Sequence, residues 1–389
     1  MDVSVVRPSD IEGEQLHLFF LSIAVETVKV HLPASPEQSY PVLVGTNNIG
    51  QLGSKLDLGH YSKIVVLSDN NVAKHWLSPL LQTLPPKTQS IVIAPGEEHK
   101  NVQTLAQVWQ ELVQRGADRK TLLVNLGGGV IGDLGGFAAA CYMRGMDFVQ
   151  VPTTLLAQVD ASVGGKTAID HASVKNSIGS FAQPKAVLID INTLSTLPPR
   201  ELAAGFAEVL KHGLIRRRSY FERTAAKAPK DFTPTELIEL VLESVKIKAA
   251  VVESDEKESG PRKLLNFGHT AGHAFEMLSF KYGCPLLHGE AISLGILFEA
   301  RLSQLQGYLN DADLKQIRQG LELAGLPLKL SFVPTFEETL ALMRSDKKNA
   351  QGTIRWTLLR SIGEGIFDIE VPDNLVKEVF TSFSCEAVT

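Results

Sequence analysis

The chain has few cysteines, and their arrangement excludes a disulfide framework. Only three occur in 389 residues, at Cys141, Cys284 and Cys385, and none forms a CxxC pair. Sparse, unpaired cysteines are typical of proteins that work in a reducing compartment. We therefore expect a cytoplasmic protein, in which the cysteines serve as small hydrophobic residues of the interior.

Long hydrophobic runs are absent as well. The most apolar stretch near the N-terminus is LHLFFLSIAV (16–25), whereas a membrane-spanning helix needs about 20 apolar residues. The N-terminus lacks the basic start and the small-residue cleavage pattern of a secretory signal, and its acidic residues disfavour a transit peptide. We expect no membrane partner and interpret residues 1–25 as an extension of unknown role.

An excess of basic residues is also missing. The 38 Lys and Arg residues are outnumbered by 43 Asp and Glu residues, which gives a net charge of −5. Nonspecific binding to nucleic acid requires clustered Lys and Arg side chains that displace counterions. The composition therefore argues against a nucleic-acid partner, while a local basic pocket for a small anion stays open.

The spacing of hydrophobic residues differs between the two halves of the chain. Up to about residue 195, short runs rich in Val, Ile and Leu alternate with stretches of helical spacing, and after about residue 198 helical spacing dominates. This predicts a Rossmann-like α/β domain with a mostly parallel sheet at 26–197 and a mainly α-helical domain at 198–389. The predicted strands are 63–69, 90–96, 121–127, 148–154 and 186–191, the predicted helices are 71–84, 102–116, 233–256, 288–307 and 311–326, and a hairpin is predicted for 353–363 with 365–371.

Glycines are concentrated in the stretch NLGGGVIGDLGG (125–136), between a predicted strand and a helical stretch. Gly127, Gly129 and Gly132 form a G-x-G-x-x-G pattern. Such glycines let backbone amides approach a pyrophosphate at the positive end of the following helix. The pattern predicts a dinucleotide site, with a tight turn of any doubly wound fold as the alternative. The preferred ribose partners are two acids at predicted strand ends, Asp69 and Glu97.

Isolated charges in two further stretches indicate a polar site. The stretch 151–184 carries charged residues among small and apolar ones. In AGFAEVLKHG (204–213), Glu208 and Lys211 lie three residues apart on one predicted helix face. A surface ion pair of this kind contributes only ~0.2–0.5 kcal/mol, but the apolar surroundings predict that Glu208 is buried and needs a cation. The polar residues of the first stretch are Asp160, Lys166, Lys175 and Asn176.

Two histidines in FGHTAGHAFE (267–276) have the spacing of one helical turn. His269 and His273 would therefore share a helix face. A zinc protease motif would place Glu directly after the first histidine, and this chain does not. Spacing nominates both histidines as metal ligands, with Glu208 or Glu290 as the third, whereas purely structural histidines are the alternative. Three such ligands with an open fourth position make a catalytic zinc site.

Many ordered motifs together resemble the 3-dehydroquinate synthase family of sugar-phosphate cyclases. The similarity runs from about residue 27 to about residue 380. It implies an NAD-binding α/β domain, a helical metal-binding domain and an active site in the cleft between them. The motifs are PGEEHK, GGGVIGD, GFAAACYMRG, PTTLLAQVDASVGGKT, KNSIGSFAQP, TLPPRELAAGFAEVLKHG, DEKESGPRKLLNFGHTAGHAFE, LHGEAISLG and DKK.

The resemblance also implies roles for individual residues. A divalent metal, zinc or cobalt, is expected on Glu208, His269 and His288, which leaves His273 to contact substrate. The catalytic positions match Asp160, Lys211, Lys248 and His273. The substrate positions match Arg144, Lys166, Asn176, Arg262, Asn266 and the pair Lys347 and Lys348, with Arg144 serving the neighbouring subunit of a homodimer. The NAD positions match Asp69, Asn71, Glu97, Lys100, Gly128, Gly129, Asp133, Thr153, Thr154, Lys175 and Thr196.

The reaction that the resemblance implies is an internally redox-neutral cyclisation in the shikimate pathway of aromatic amino acid biosynthesis. The substrate, 3-deoxy-D-arabino-heptulosonate 7-phosphate, is anionic at both ends, which suits a pocket of Arg and Lys. NAD would oxidise it transiently, phosphate would leave, the hydride would return, and ring opening with an intramolecular aldol step would give 3-dehydroquinate. The alternatives are another sugar-phosphate cyclase, a metal-dependent alcohol or glycerol dehydrogenase, and an inactive NAD-binding sensor.

Overall fold

The N-terminal half is organised around a parallel β-sheet. The computed structural model describes residues 39–172, 174–345 and 353–387, so the extension 1–25 and the predicted substrate residues Lys347 and Lys348 lie outside the described residues. Eight strands precede residue 191: β1 Val42–Gly45, β2 Lys63–Asp69, β3 Gln89–Ile93, β4 Thr121–Gly127, β5 Phe148–Pro152, β6 Lys166–His171, β7 Val174–Phe181 and β8 Ala186–Asp190.

Six of these strands form the sheet, in the order β1-β8-β5-β4-β2-β3, and every adjacent pair is parallel. From β2 the chain proceeds to β3 on one side, and then returns to place β4 on the other side. This reversal makes the carboxyl ends of β2 and β4 the switch point at which open α/β sheets bind ligands. The remaining two strands, β6 and β7, form an antiparallel hairpin.

Helices cover both faces of the sheet, because successive strand residues point to opposite sides. Val65 of β2 packs in one apolar cluster with Leu105 and Val108, whereas its neighbour Val66 packs in another with Leu80. Strands buried on both faces read as continuous apolar runs, which is why β2 and β4 were predictable. The helices of this half are α1 Leu52–Lys55, α2 Asn70–Val72, α3 Ser78–Leu81, α4 Val102–Gln114 and α5 Gly129–Cys141, with π-helical turns at Ala73–Leu77 and Ala157–Ala161.

The C-terminal half is mainly helical. A capping box, in which Thr233 and Glu236 bond reciprocally, begins the longest of its helices. Two antiparallel strands, β9 Trp356–Ser361 and β10 Glu364–Ile369, make the predicted hairpin. The helices are α6 Pro199–Arg216, α7 Arg218–Thr224, α8 Pro234–Ser254, α9 His269–Lys281, α10 His288–Leu305, α11 Asp311–Leu323, α12 Phe336–Ser345 and α13 Asp373–Ala387.

Two glycines let α10 approach its neighbours at backbone distance. A Cβ atom added to Gly295 would lie 1.8 Å from the carbonyl oxygen of Gly268, just before α9. A Cβ atom added to Gly289 would lie 1.8 Å from the carbonyl oxygen of Ala204 in α6. Any side chain at these positions would push the helices apart. The close packing brings together the three helices that carry the predicted metal ligands.

The structure confirms the predicted fold class and every predicted strand and helix, with ends shifted by a few residues. The sequence did not predict β1, the β6–β7 hairpin or the helices α1, α7, α12 and α13, whereas the exact domain boundary between 197 and 198 stays a prediction. Among the described residues, no helix combines the length and apolar character that a membrane crossing requires.

Candidate active site

Helices α6, α9 and α10 bring Glu208, His269 and His288 together. The Nε2 atoms of His269 and His288 lie 3.6 and 3.9 Å from Oε1 of Glu208. The possible ligand atoms of all three residues lie within 4.8 Å of one another, which is a spacing that can hold a metal ion. His269 is the first residue of α9 and His288 the first of α10, so two helix starts converge on one side chain of α6.

The surroundings of Glu208 fit a bound cation. Its side chain is completely buried, and neither carboxylate oxygen has a hydrogen-bond partner among the described residues, although the Lys211 ammonium group contacts Oε2. A buried carboxylate is costly unless cations and hydrogen bonds satisfy it. One carboxylate and two neutral imidazoles form an ordinary donor set for zinc with a fourth position open. The residues therefore fit a divalent metal.

The structure does not group His273, or the alternative third ligand Glu290, with the residues that could hold a metal. The His273 ring lies edge-on to the His269 ring, with centroids 5.2 Å apart. His273 belongs to neither of the two groups of described residues that could hold a metal, Glu208–His269–His288 and Asp160–Glu208–His212. The other nominee, Glu290, forms a two-point ion pair with Arg200 at 2.6 and 2.7 Å. His273 instead lines the space beside the cluster, 5.8 Å from the His288 ring.

A buried polar network adjoins this cluster. Asp160 lies on the π-helical turn, a feature common at functional sites. Its backbone oxygen and its Oδ1 atom each accept a hydrogen bond of 2.6 Å from the Lys248 ammonium group of α8. Burial raises the pKa of Asp160, but the charges of Lys248 and Lys211 outweigh this effect and hold the pKa well below its usual range. The carboxylate is therefore ionised between two buried cations.

His212 belongs to the same network and was not predicted. Its ring is fully buried, with Nδ1 2.6 Å from the Ser244 hydroxyl and Nε2 3.9 Å from Oδ1 of Asp160. Burial and the neighbouring charge of Lys211 lower the pKa of His212 to about 3, so the ring is neutral. The feature of the sequence that could have identified His212 as a site residue is its position directly after Lys211 in an apolar helix.

Further predicted substrate residues form a second polar cluster. Arg262 is buried, and one of its Nη atoms donates to the Gly164 carbonyl oxygen at 3.0 Å. Glu258, which sequence reasoning missed, accepts a hydrogen bond of 2.8 Å from Asn266 and contacts the Lys166 ammonium group. An anionic substrate group that binds Lys166 and Asn266 would have to displace this carboxylate.

The glycine loop lies at the switch point of the sheet. It joins β4 to α5, and no side chain of the described residues caps the α5 N-terminus at Gly128. A Cβ atom on Gly128 would lie 3.0 Å from the Thr154 methyl group, so a larger residue at the start of α5 would crowd Thr154. The buried Thr153 hydroxyl has no hydrogen-bond partner among the described residues. Open amides and an unsatisfied hydroxyl fit the pyrophosphate of a dinucleotide.

Lys100 organises the polar residues next to this loop. Its ammonium group lies 2.7 Å from Asp133 of α5, 3.7 Å from Glu97, and 2.5 Å from Oδ1 of Asn176. Burial lowers the pKa of Lys100, but Asp133 and Glu97 outweigh it and raise the pKa above its usual value. Lys175 of β7 lies 3.9 Å from Glu97 and extends the group toward α9. Four predicted NAD residues and one predicted substrate residue therefore form one cluster.

Other predicted residues lie at the edges of the site or away from it. Asp69 ends β2, and its Oδ1 atom caps the following turn by accepting from the amides of Asn71 and Val72. The Thr196 hydroxyl accepts a hydrogen bond of 2.9 Å from the Trp76 indole. Arg144 is exposed after α5, about 20 Å of helix from the glycine loop. Arg144 therefore lies at the far end of α5 from the glycine loop of its own chain.

Two buried glutamates that were not predicted support the histidines. Glu299 of α10 accepts hydrogen bonds from the backbone amides of Gly268, Thr270 and Ala271 at 2.6, 3.0 and 3.2 Å. A carboxylate at the positive end of α9 stabilises that helix start and fixes the backbone around His269. The second, Glu276, lies on α9 beside His288.

Comparison with known proteins agrees with this arrangement. Family models described as the N-terminal and C-terminal parts of 3-dehydroquinate synthase match residues 90–204 and 205–349. The chain is 44% identical over 347 residues to the 3-dehydroquinate synthase of Neisseria meningitidis serogroup C, covering 88% of this chain and 95% of that protein. It is 42% identical over 359 residues to the 3-dehydroquinate synthase of Vibrio atlanticus, covering 91% and 98%.

Solved structures of other cyclases share the architecture. A 2-deoxy-scyllo-inosose synthase, complexed with carbaglucose-6-phosphate, NAD⁺ and Co²⁺, aligns with a TM-score of 0.79 at 25% identity, over 88% of this chain and 96% of that one. A 2-epi-5-epi-valiolone synthase from Streptomyces hygroscopicus, with NAD⁺ and Zn²⁺ bound, aligns with a TM-score of 0.80 at 25% identity, over 92% and 100%.

Proposed function

We propose that this chain, which belongs to the 3-dehydroquinate synthase family, converts 3-deoxy-D-arabino-heptulosonate 7-phosphate to 3-dehydroquinate and phosphate with NAD and a divalent metal. The observation that carries the proposal is the set of three buried cations, Lys211, Lys248 and Arg262, beside the metal-binding cluster. Glu208 and Asp160 pair with the two lysines, whereas Nε of the buried Arg262 has no hydrogen-bond partner among the described residues and can donate to an anionic substrate group. A substrate with a carboxylate and a phosphate supplies two such groups.

Separate sets of residues would hold the metal and NAD. Glu208, His269 and His288 would hold zinc or cobalt, and a bound metal supplies a Lewis acid for the substrate oxygens while NAD supplies a reversible hydride acceptor. The glycine loop, with the unsatisfied Thr153 hydroxyl, would hold the pyrophosphate of NAD.

Side chains of this chain would bind, orient and shield the substrate. Arg262, Lys166 and Asn266 would bind an anionic end, since Arg and Lys donors fix charged groups in one orientation. Asp160 and Lys248, already 2.6 Å apart, would hold and move protons at the reacting hydroxyls. His273 would contact substrate next to the metal. The depth of Lys211 and Lys248 in the interior limits the access of water.

The proposed substrate can be tested with a panel of sugar phosphates. We expect rapid phosphate release from the heptulosonate phosphate, with 3-dehydroquinate identified by NMR, and little release from sugar phosphates that lack a carboxylate. The reason for this discrimination is that Nε of the buried Arg262 has no hydrogen-bond partner among the described residues, and a substrate carboxylate would supply one. Faster release from a neutral-ended sugar phosphate, with another cyclic product, would contradict the proposed substrate and support a different cyclase.

We also propose a homodimer in which Arg144 completes the partner's site. Arg144 and Met143 have left-handed backbone angles, φ 65° and 51°, and both side chains are exposed. Strained, outward-facing residues of this kind are typical of functional positions. Mixing inactive Arg144→Met protein with inactive Glu208→Gln protein, followed by subunit exchange, is expected to restore part of the activity. No recovery in mixed dimers would contradict a role in the partner's site.

A further inference from the structure

Glu276 is a buried carboxylate that contacts both sides of the candidate active site. It lies on α9, and its side chain is 3% exposed. Its Oε2 atom lies 3.4 Å from Nδ1 of His288, and its Oε1 atom lies 2.7 Å from the ammonium group of Lys175. One side chain therefore joins a proposed metal ligand to a proposed cofactor residue.

In its contact with His288, Glu276 faces the ring nitrogen that is not available to the metal. Nε2 of His288 faces Glu208, so Nδ1 is the nitrogen that can donate its N–H group to Glu276. Metal-binding histidines commonly donate their second N–H to a carboxylate, which fixes the tautomer and the ring orientation. The other histidine ligand has a different acceptor, because Nδ1 of His269 lies 3.2 Å from the Phe267 carbonyl oxygen. His288 is also the more exposed of the two, at 31% against 12%, and depends more on such support.

The contact with Lys175 reaches across the two halves of the chain. Lys175 lies on β7, and its ammonium group is 3.9 Å from Glu97 in the NAD-side cluster and 5.8 Å from the centroid of the Phe280 ring on α9. Phe280 follows Glu276 by one helical turn, so both residues face the β7 strand. A shift of β7 during cofactor binding would move the ammonium group that neutralises Glu276.

We propose that Glu276 is a positioning residue that holds His288 in its metal-binding orientation and, through Lys175, couples metal binding to NAD binding. The inference rests on the proposed function, because it takes His288 as a ligand and Lys175 as a cofactor contact. Coupling of two binding sites is reciprocal, so NAD and metal would each raise the affinity for the other by the same factor. The contacts of Glu276 with His288 and Lys175 would produce this coupling between metal affinity and NAD affinity.

Metal affinity is the first test, measured by competition with a chromophoric chelator and without turnover. We expect Glu276→Gln to raise the metal Kd by about 10- to 100-fold, the usual effect of losing an outer-shell partner. The visible spectrum of the cobalt-loaded protein should change as well, since it reports ligand geometry. Asp313→Asn is the matched control: Asp313 is a buried carboxylate 2.8 Å from Arg218, and its loss should lower the Tm without changing metal affinity.

The coupling is tested by measuring the Kd of NAD with and without metal. We expect metal to tighten NAD binding by about fivefold or more in the unchanged protein, and this ratio to approach one in both Glu276→Gln and Lys175→Met. A metal Kd within about twofold of the unchanged protein, or an undiminished ratio in either variant, would overturn the inference. Failure of the unchanged protein to bind stoichiometric metal would instead overturn the proposed function, so the two failures are distinguishable.

Discussion

Replacing Glu208 with Gln is expected to remove the metal and turnover together. The amide keeps the volume of a side chain that is completely buried, but it removes the only carboxylate among the three proposed ligands. Metal affinity should fall by more than the ~10–100-fold that follows removal of an outer-shell partner of a metal ligand. Metal content by mass spectrometry of the dialysed protein, together with kcat, measures both effects. Because Lys211 can still donate to the amide oxygen, the fold should persist, and circular dichroism checks this.

Two variants serve as controls for that experiment. Glu290→Gln removes the carboxylate that spacing alone nominated, but Glu290 pairs with Arg200, so metal content should stay stoichiometric. His273→Ala should likewise retain the metal while raising KM, because its ring lies beside the cluster. Full metal content in Glu208→Gln, or metal loss in His273→Ala, would show that the ligand set assigned to α6, α9 and α10 is incorrect.

Replacing Lys248 with Met is expected to lower kcat by about 10²–10⁴-fold, the range typical of a lost acid–base group. Lys248 donates both to the backbone and to the carboxylate of Asp160, so the variant loses the proton partner of that carboxylate. Lys211 still faces Asp160, which leaves one cation for its charge. Metal content and NAD affinity should change little. Single-turnover kinetics with the heptulosonate phosphate separates a slow chemical step from weak binding.

Lys263→Met is the control for Lys248→Met. Lys263 pairs with Asp368 at 2.8 Å on the partly exposed surface, where an ion pair contributes about 0–1 kcal/mol to stability. The kcat of the Lys263→Met variant should equal that of the unchanged protein. If Lys248→Met reduces kcat less than about tenfold, the network around Asp160 does not carry proton transfer, and the roles of Asp160 and Lys248 must be reassigned.

Five of the six sheet strands were predictable from sequence because they are short runs rich in Val, Ile and Leu, whereas β1, with four half-buried residues, was missed. The ends of β2 and β4 were predicted to the residue. All residues of β4, and all residues of β2 except Lys63, are buried. The β6–β7 hairpin was missed because β7 is mostly exposed, so it carries no apolar alternation. That omission had a consequence for the site: without β7, the approach of Lys175 to α9 could not be foreseen.

Spacing could not select the metal ligands, because an i,i+4 pair states only that two rings share a helix face. His269 and His273 do share one, but successive turns are about 5.4 Å apart along the axis, and Glu208 meets only the first. The third ligand comes from the start of α10, a contact made by the close packing at Gly289 and Gly295. The three ligands Glu208, His269 and His288 were predicted from the resemblance to a family, and the structure brings these three residues together. The roles of the other site residues stay predictions.

The most direct test of the proposed function follows phosphate release and absorbance at 340 nm together. Metal-loaded protein is incubated with the heptulosonate phosphate and an amount of NAD far below that of the substrate. The proposed function predicts many phosphates released per NAD with no lasting NADH signal, because the hydride would return to the substrate in every cycle. Steady accumulation of NADH, or no phosphate release from this substrate by protein with stoichiometric metal, would contradict it.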